Sequence, residues 1–391
     1  MVWLLLHTVD LLFWLLLTAS VAYIAFFALA SLIPARPAPC AAVSPQAPRP
    51  TFLVLFPAYG EDEVILSSVG RFLAQTYPSE LYTVAVISDH MSADTNHRLS
   101  RLPVALLQPR FDQSSKAKAL QYAVSHIGDP FDFVVILDAD NVVESDFLCR
   151  LEQVCFQGYR AVQCHRCAKN ADNHIAALDG LSEEVNNTLF RRAHNAVGLS
   201  AALVGSGMCF DYNWFCRRAA LLRTTVEDRE LEALLALDGI FVKYEDKILV
   251  YDEKVTTADT FQRQRLRWMS GQLQSLAAMS RHLPQALLSG NINYLDKTLQ
   301  QALIPRSLLL VLVPLLSLAV SFVSVAWSIK WWIVSALLAA SVFLAVPPPL
   351  RTRRALLHSL AFPRMALRML RNLRHIRKNR QHFIHTEHHT T

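Results

Sequence analysis

The stretch Phe133-Val134-Val135-Ile136-Leu137-Asp138-Ala139-Asp140 is five apolar residues closed by two carboxylates one residue apart. A short apolar run that stops at polar residues reads as a buried strand. Working outward, Phe52 to Phe56 is another such run, ending at Pro57, and Tyr82 to Ile87 is a third, ending at Asp89. Val64 to Leu73, Ser114 to Ile127 and Asp146 to Gln157 carry helical spacing between and after them. Strands alternating with helices predict a parallel α/β sheet. Ligands of such sheets bind beyond the carboxyl ends of the strands, where Asp89 and Asp138 fall. No internal repeat or low-complexity segment is visible.

Apolar residues make up 52% of the 391, and the mean hydropathy is +0.25, too apolar for an ordinary soluble protein. The excess lies at the two ends. From Val2 to Ile33 only His7 and Asp10 are strongly polar, long enough for a tilted membrane span. A signal peptide would want a basic start and a shorter apolar core, and neither is present. Leu303 to Ala326 and Trp331 to Val346 are two further apolar runs, with Ser328-Ile329-Lys330 reading as the turn between them. Three transmembrane helices are therefore expected. Asp10 and His7, costly in lipid, are expected to face protein, water or headgroups.

Basic residues set the orientation. Arg36 follows the first span, and ten Arg and Lys lie between Arg351 and Arg380. Positive flanks stay cytoplasmic, which places the central domain and the tail inside at an inner membrane. The net charge of +6 is mostly a property of that tail. Arg364, Arg368, Arg371, Arg374 and Lys378 recur at helical spacing with apolar residues between them, predicting an amphipathic helix on anionic membrane lipids rather than a nucleic-acid arm. The expected organisation is a membrane helix over 1–33, a proline-rich linker over 34–50, a catalytic domain over 51–270, interface helices over 271–302, a transmembrane hairpin over 303–346 and a basic tail over 347–391. The seven cysteines form no framework. Cys164-His165-Arg166-Cys167 has half the spacing of a zinc site, without a second half; core and strand cysteines in a reducing compartment are the plainer reading.

Three strings carry chemistry together: Asp138-Ala139-Asp140, Val226-Glu227-Asp228 and Gln264-Arg265-Leu266-Arg267-Trp268. Paired carboxylates can seat a hard divalent ion that also binds a diphosphate. A carboxylate such as Asp228 can serve as a base, and Arg267 and Trp268 offer a phosphate contact and an apolar platform. In this order they resemble the family 2 glycosyltransferases, specifically the membrane-bound branch that contains cellulose, chitin, hyaluronan and poly-N-acetylglucosamine synthases. The resemblance covers residues 52–275 best.

The resemblance implies an α/β GT-A fold and an inverting single displacement. It implies that Asp140 ligates Mg2+ or Mn2+, with Asp138 ligating or binding nucleotide. Asp228 would be the base, with Glu227 holding the loop. Pro57-Ala58-Tyr59-Gly60-Glu61 resembles the family's P-x-Y-N-E loop, so Pro57, Tyr59 and Glu61 join Asp89 and Lys116 as donor-binding residues. Gly205-Ser206-Gly207 would be a floor beneath the acceptor sugar; a plain turn reads equally well. Gln264, Arg267 and Trp268 match Q-x-x-R-W, while Arg263 and Arg265 read as lipid or surface charges. Phe383 to His388 resembles the family's gating string, read as a substrate lid or a frayed tail. The activity implied is processive polymerisation of sugar from a UDP-sugar into a β-linked polysaccharide. Single addition to a lipid or lipid-linked acceptor is the alternative, and a non-catalytic membrane scaffold the rival from outside enzymology. Few spans for a channel imply self-association or an export partner.

Overall fold

The computed structural model describes residues 2–34 and 48–353, apart from 129, 172 and 225. Most of the proline-rich linker, Arg36, and the basic tail with its Phe383–His388 string lie outside the described residues.

Strand β1 (Phe52–Tyr59) alternates between two apolar layers. Phe52, Val54 and Phe56 enter one layer, and Leu53 and Leu55 the other, as expected for a strand covered on both faces. It pairs in parallel with β2 (Tyr82–Asp89), which pairs in parallel with β3 (Ala105–Leu107), and on its other side with β4 (Phe133–Ile136). The remaining strands are β5 (Val142–Val143), β6 (Ala161–Ala168), β7 (Met208–Asp211) and β8 (Val242–Asp252). The eight-stranded order is β3-β2-β1-β4-β7-β6-β8-β5.

The sheet is mixed, not parallel as the alternation predicts. β7 runs antiparallel between β4 and β6, and β5 antiparallel to β8. β1 also continues through Pro57 instead of stopping at it. Leu55 accepts a bond from Leu137 N on the β4 side, so Pro57, two residues on, points its missing N–H where β4 has ended.

The first helices are α1 (Val2–Ala30), α2 (Ile65–Phe72), α3 (Ala93–Leu99), α4 (Lys116–His126), α5 (Phe147–Cys155), α6 (His174–Asn186) and α7 (Ala193–Ala196). Then come α8 (Tyr212–Ala219), α9 (Glu227–Leu237), α10 (Ala258–Met279), α11 (Leu283–Leu288), α12 (Ile292–Ala302), α13 (Arg306–Ser321) and α14 (Val325–Ala345). α2 and α5 fill the layer on one face of the sheet, and α4, α8 and α9 the layer on the other. A π-helical stretch, Asn187–Arg192, joins α6 to α7 and packs Leu189 against α1.

Among the described residues two helices are long and apolar enough to cross a membrane, Trp3–Ala30 and Val325–Ala345. The expected third span is not a single helix of span length. α13 has 16 residues with Pro314 inside, about 24 Å at a rise of ~1.5 Å per residue, short of a ~30 Å core. It reaches span length only together with α12, across a bend of 54°. The hairpin turn also sits earlier than expected. Ser324 caps α14, and Ser328, Ile329 and Lys330 lie within that helix.

Lys330 pairs with Asp10, whose other oxygen accepts from Trp331 Nε1 at 2.8 Å. His7 meets Trp327 edge-on at 3.7 Å. These contacts set the start of α14 beside the outer part of α1, so the two helices run parallel, with α13 packed antiparallel on α14. Residues 350–353, after α14, therefore lie on the side of the sheet domain. Asp10→Ala should leave an unpaired ammonium among apolar helices and cost on the order of 3 kcal/mol. Thermal unfolding in detergent checks this: Asp10→Asn combined with Lys330→Met should recover most of the loss.

Candidate active site

The carboxyl ends of β1, β2 and β4 open into one cavity of about 1050 Å3. Pro57, Tyr59 and Glu61 from the end of β1, Asp89 from β2 and Lys116 from the start of α4 line it. So do Asp138 and Asp140 after β4, Gly205, Glu227 and Asp228 at the start of α9, and Gln264, Arg267 and Trp268 of α10. More than twenty residues separate each of these segments from the next, and the fold brings them to one wall system.

Lys116 is its hub. Ser115 caps α4 by accepting from Lys118 N at 3.2 Å, which aims the next side chain outward from the helix start. The Lys116 ammonium donates to Asp138 and, at 2.6 Å, to the Gly205 carbonyl, with Glu227 Oε1 at 3.5 Å. Burial works against this ammonium, but Asp138, Glu227 and Asp228 outweigh it and raise its pKa. Gly205 has φ +87, and a Cβ there would face Asp228 Oδ2 at 3.7 Å. The glycine thus supplies both a left-handed turn and room above the carboxylates.

Asp140 is only 3% exposed. Glu253 N donates to its Oδ2 at 2.8 Å and Asn141 Nδ2 to its Oδ1 at 3.2 Å, which orients the carboxylate. Asp138 and Asp140 are hard oxygen donors and fit a divalent cation that is completed by phosphate oxygens and water. Among the described residues no cluster of three or more His, Cys, Asp or Glu offers an all-protein metal cage.

Two expected floor residues do not line the cavity. Ser206 is fully buried, bonded to Asn141 and to Asp138 N at 3.3 Å, so it shapes the Asp138 turn from behind. A Cβ on Gly207 would come within 2.9 Å of Val250, making it a packing glycine between β7 and β8. Arg265 is not a surface charge: it is bonded to Asp179 Oδ1 at 2.8 Å, and its guanidinium covers one face of Trp268 at 4.7 Å.

Other lining residues carried no local sequence signal. Arg166 and Arg191 clamp Glu183 at 2.9 and 3.1 Å. Burial disfavours the Glu183 carboxylate, yet the two guanidinium groups hold its pKa well below the usual range. Arg166 belongs to the cysteine-flanked string of β6, where His165 pairs with Glu184 at 2.9 Å and Cys164 is buried. Only pairing of β6 with β8 discloses that Arg166 faces Asp252.

At the far end the same cavity is walled by Ile24 of α1, Leu310 of α13 and Ala339, Val342 and Phe343 of α14.

The signature of the family described as "Glycosyl transferase family group 2" matches residues 133–344, more than half of the chain. A beta-monoglucosyldiacylglycerol synthase of Trichormus variabilis is 27% identical over 254 residues, covering 59% of this chain and 50% of that protein. A probable glucomannan 4-beta-mannosyltransferase of Oryza sativa subsp. japonica is 26% identical over 247 residues, covering 57% of this chain and 43% of that one. The chain thus spans about half the length of the curated relatives it matches. Among solved structures, the mannosyltransferase PcManGT of Pyrobaculum calidifontis, in complex with GDP-Man and Mn2+, superposes with a TM-score of 0.51 at 19% identity. That match covers 84% of this chain and 97% of the other, and the shared fold is GT-A.

Two predictions follow from the geometry. Burial, reinforced by Asp228 and opposed by Lys116, raises the Glu227 pKa to about 7. The folded protein therefore holds a proton that the unfolded chain releases near the ordinary carboxyl range. Its stabilising contribution is complete at acid pH and is lost as pH rises through about 7. Denaturation followed between pH 5 and 8 should show this slope, and Glu227→Gln should flatten it. Second, a Cβ on Gly271 of α10 would overlap the Val226 side chain, which precedes the Glu227-Asp228 pair. Gly271→Ala should push α10 from the start of α9 and lower transfer activity at least tenfold, with a smaller loss of thermal stability.

Proposed function

The chain belongs to glycosyl transferase family group 2, and from that premise we propose that it moves a single hexose from a UDP-sugar to a lipid acceptor entering from the membrane. The observation that carries this reading is the continuity of one cavity from Asp138 and Asp228 to the aliphatic faces of α1, α13 and α14. A polar end suits the donor and an apolar end suits acyl or isoprenoid chains. A relative named for a glucosylated diacylglycerol supports the same choice. The polysaccharide reading asks for an exit channel built from several spans, and the described residues hold two full-length apolar helices and one bent pair.

In this reading Tyr59, Asp89 and the Pro57–Glu61 loop hold the nucleotide. Lys116 and Arg267 meet the diphosphate. A divalent cation, Mg2+ or Mn2+, on Asp138 and Asp140 supplies charge neutralisation for the leaving diphosphate. Asp228, on the cavity side of the turn, accepts the proton of the acceptor hydroxyl as its oxygen bonds to the sugar's anomeric carbon. The bond from that carbon to the diphosphate breaks in the same displacement, so the configuration inverts. Glu227 stays behind Asp228 and keeps Lys116 in place. Gln264 Oε1 is buried without a hydrogen-bond partner and lines the cavity, an acceptor ready for a sugar hydroxyl.

The test is product analysis. Purified protein, a panel of UDP-sugars and lipid vesicles should yield a lipid carrying one hexose. Asp228→Asn should retain donor binding and lose transfer by about a hundredfold or more. Water-soluble chains of many sugars, formed without lipid, would instead establish the polymerase reading.

A further inference from the structure

Two guanidinium groups meet at one serine on the membrane side of the cavity. Arg306, the first residue of α13, donates from Nη2 to Ser182 Oγ at 2.9 Å and to the Ser182 carbonyl at 3.1 Å. Arg265 of α10 donates to the same Oγ at 3.3 Å. Like charges this close repel unless something between them is negative. Asp179 neutralises Arg265, but no carboxylate lies within ion-pair distance of Arg306 among the described residues. The nearest alternative, Glu183, is already held by Arg166 and Arg191.

The donors are also in surplus. Arg306 Nη1 and Arg265 Nε are shielded from solvent and have no hydrogen-bond partner. A buried donor left unmet is destabilising, so a site that keeps two of them is short of an acceptor. The amino end of the 16-residue α13 adds its own positive potential at the same place. Ser182, Arg265, Arg306 and Ser307 all line the cavity, and Leu310 continues its wall one turn further along α13.

Resting on the lipid-acceptor reading, we propose that Arg306, Arg265 and Ser182 bind the phosphate of an anionic lipid, so that the acceptor is a phosphate-bearing lipid and not a neutral one. Guanidinium forks match phosphate oxygens in pairs, and the serine hydroxyl completes the set. Arg306 begins the apolar helix α13, so a phosphate seated there carries its chains along Leu310. The donor's diphosphate has its own cations in Lys116 and Arg267.

The full chain in neutral detergent micelles tests this. Thermal shift and tryptophan fluorescence would be read against phosphatidic acid, dioleoylglycerol and inorganic phosphate, each without donor. Phosphatidic acid should bind at least tenfold more tightly than dioleoylglycerol, with inorganic phosphate weaker still. Arg306→Gln should remove the tenfold preference, and Arg263→Gln, on the exposed face of α10, should keep it. Asp179→Asn strips Arg265 of its counter-charge and should strengthen the preference, an outcome that a merely structural role for these arginines does not give. Equal binding of the two lipids overturns the proposal, as does a preference that survives Arg306→Gln. Inorganic phosphate binding as tightly as phosphatidic acid, or UDP displacing the lipid, also overturns it by assigning the arginines to another ligand. Sugar transfer to dioleoylglycerol without a phosphate preference removes this inference and leaves the lipid-acceptor reading standing. A phosphate preference with only polymer as product removes that reading and leaves the anion site.

Discussion

One ammonium group, that of Lys116, holds the catalytic end of the sheet together. It joins the start of α4, the turn after β4, the Gly205 carbonyl and the start of α9. A lysine taken this far from water is tolerable only because carboxylates surround it. Three of them, Asp138, Glu227 and Asp228, act on one cation, so the cluster carries more negative charge than its own lysine cancels. That surplus has two physical outlets. Glu227, the most enclosed of the three, retains a proton up to about pH 7. Asp138 and Asp140 remain suited to a hard cation. Gly271 is a consequence of the same constraint, since a Cβ there would overlap Val226 and part α10 from the start of α9. Gly205 supplies the left-handed φ of +87 at the carbonyl the lysine holds.

A second polar cluster fixes the membrane helix to this domain. Tyr23 of α1 donates to Asp296 of α12 at 2.6 Å and lies 3.0 Å from His194 Nε2. Gln300 donates to the other Asp296 oxygen at 2.8 Å, and Phe27 stacks on the His194 ring at 3.7 Å. Polar groups that satisfy one another can be buried at a helix junction where isolated ones cannot. The junction leads back to the site: Glu232 of α9 accepts from Leu203 N at 2.7 Å, two residues before Gly205. Helices α1 and α9 are therefore parts of one packed body, and the cavity runs unbroken between them.

Sequence patterning made the strand-and-helix alternation legible, because each of β1, β2 and β4 is an apolar run that ends at a polar residue. It made Asp138, Asp140, Glu227, Asp228, Arg267 and Trp268 legible as a set through the resemblance. It did not disclose the antiparallel β7, since a four-residue strand after a glycine turn has no period to read. It placed a turn at Ser328–Lys330 because a lysine among apolar residues looks like an interruption; the lysine is instead answered by Asp10, some 320 positions away. Arg265 looked like a surface charge for the same reason. Its partners, Asp179 and Ser182, lie on a helix more than eighty residues earlier. Long-range ion pairs of this kind leave no mark in a local window.

The cavity wall joins two kinds of surface. One wall holds carboxylates and Lys116 at the sheet, Gln264, Arg267, Trp268 and the Arg265–Arg306 pair, and the aliphatic faces of α1, α13 and α14. A growing sugar chain has hydroxyls throughout and would ask for polar and aromatic lining to the exit. An amphiphile suits a wall with both kinds of surface, a reactive head among polar groups and chains among Leu310, Val342 and Phe343. Trp268 fits the same logic. Arg265 occupies one of its faces, so only the other is open to a sugar, and the covered face turns towards the arginine pair. A platform backed by a cation holds one ring at a fixed depth, which suits a single transfer made next to the membrane.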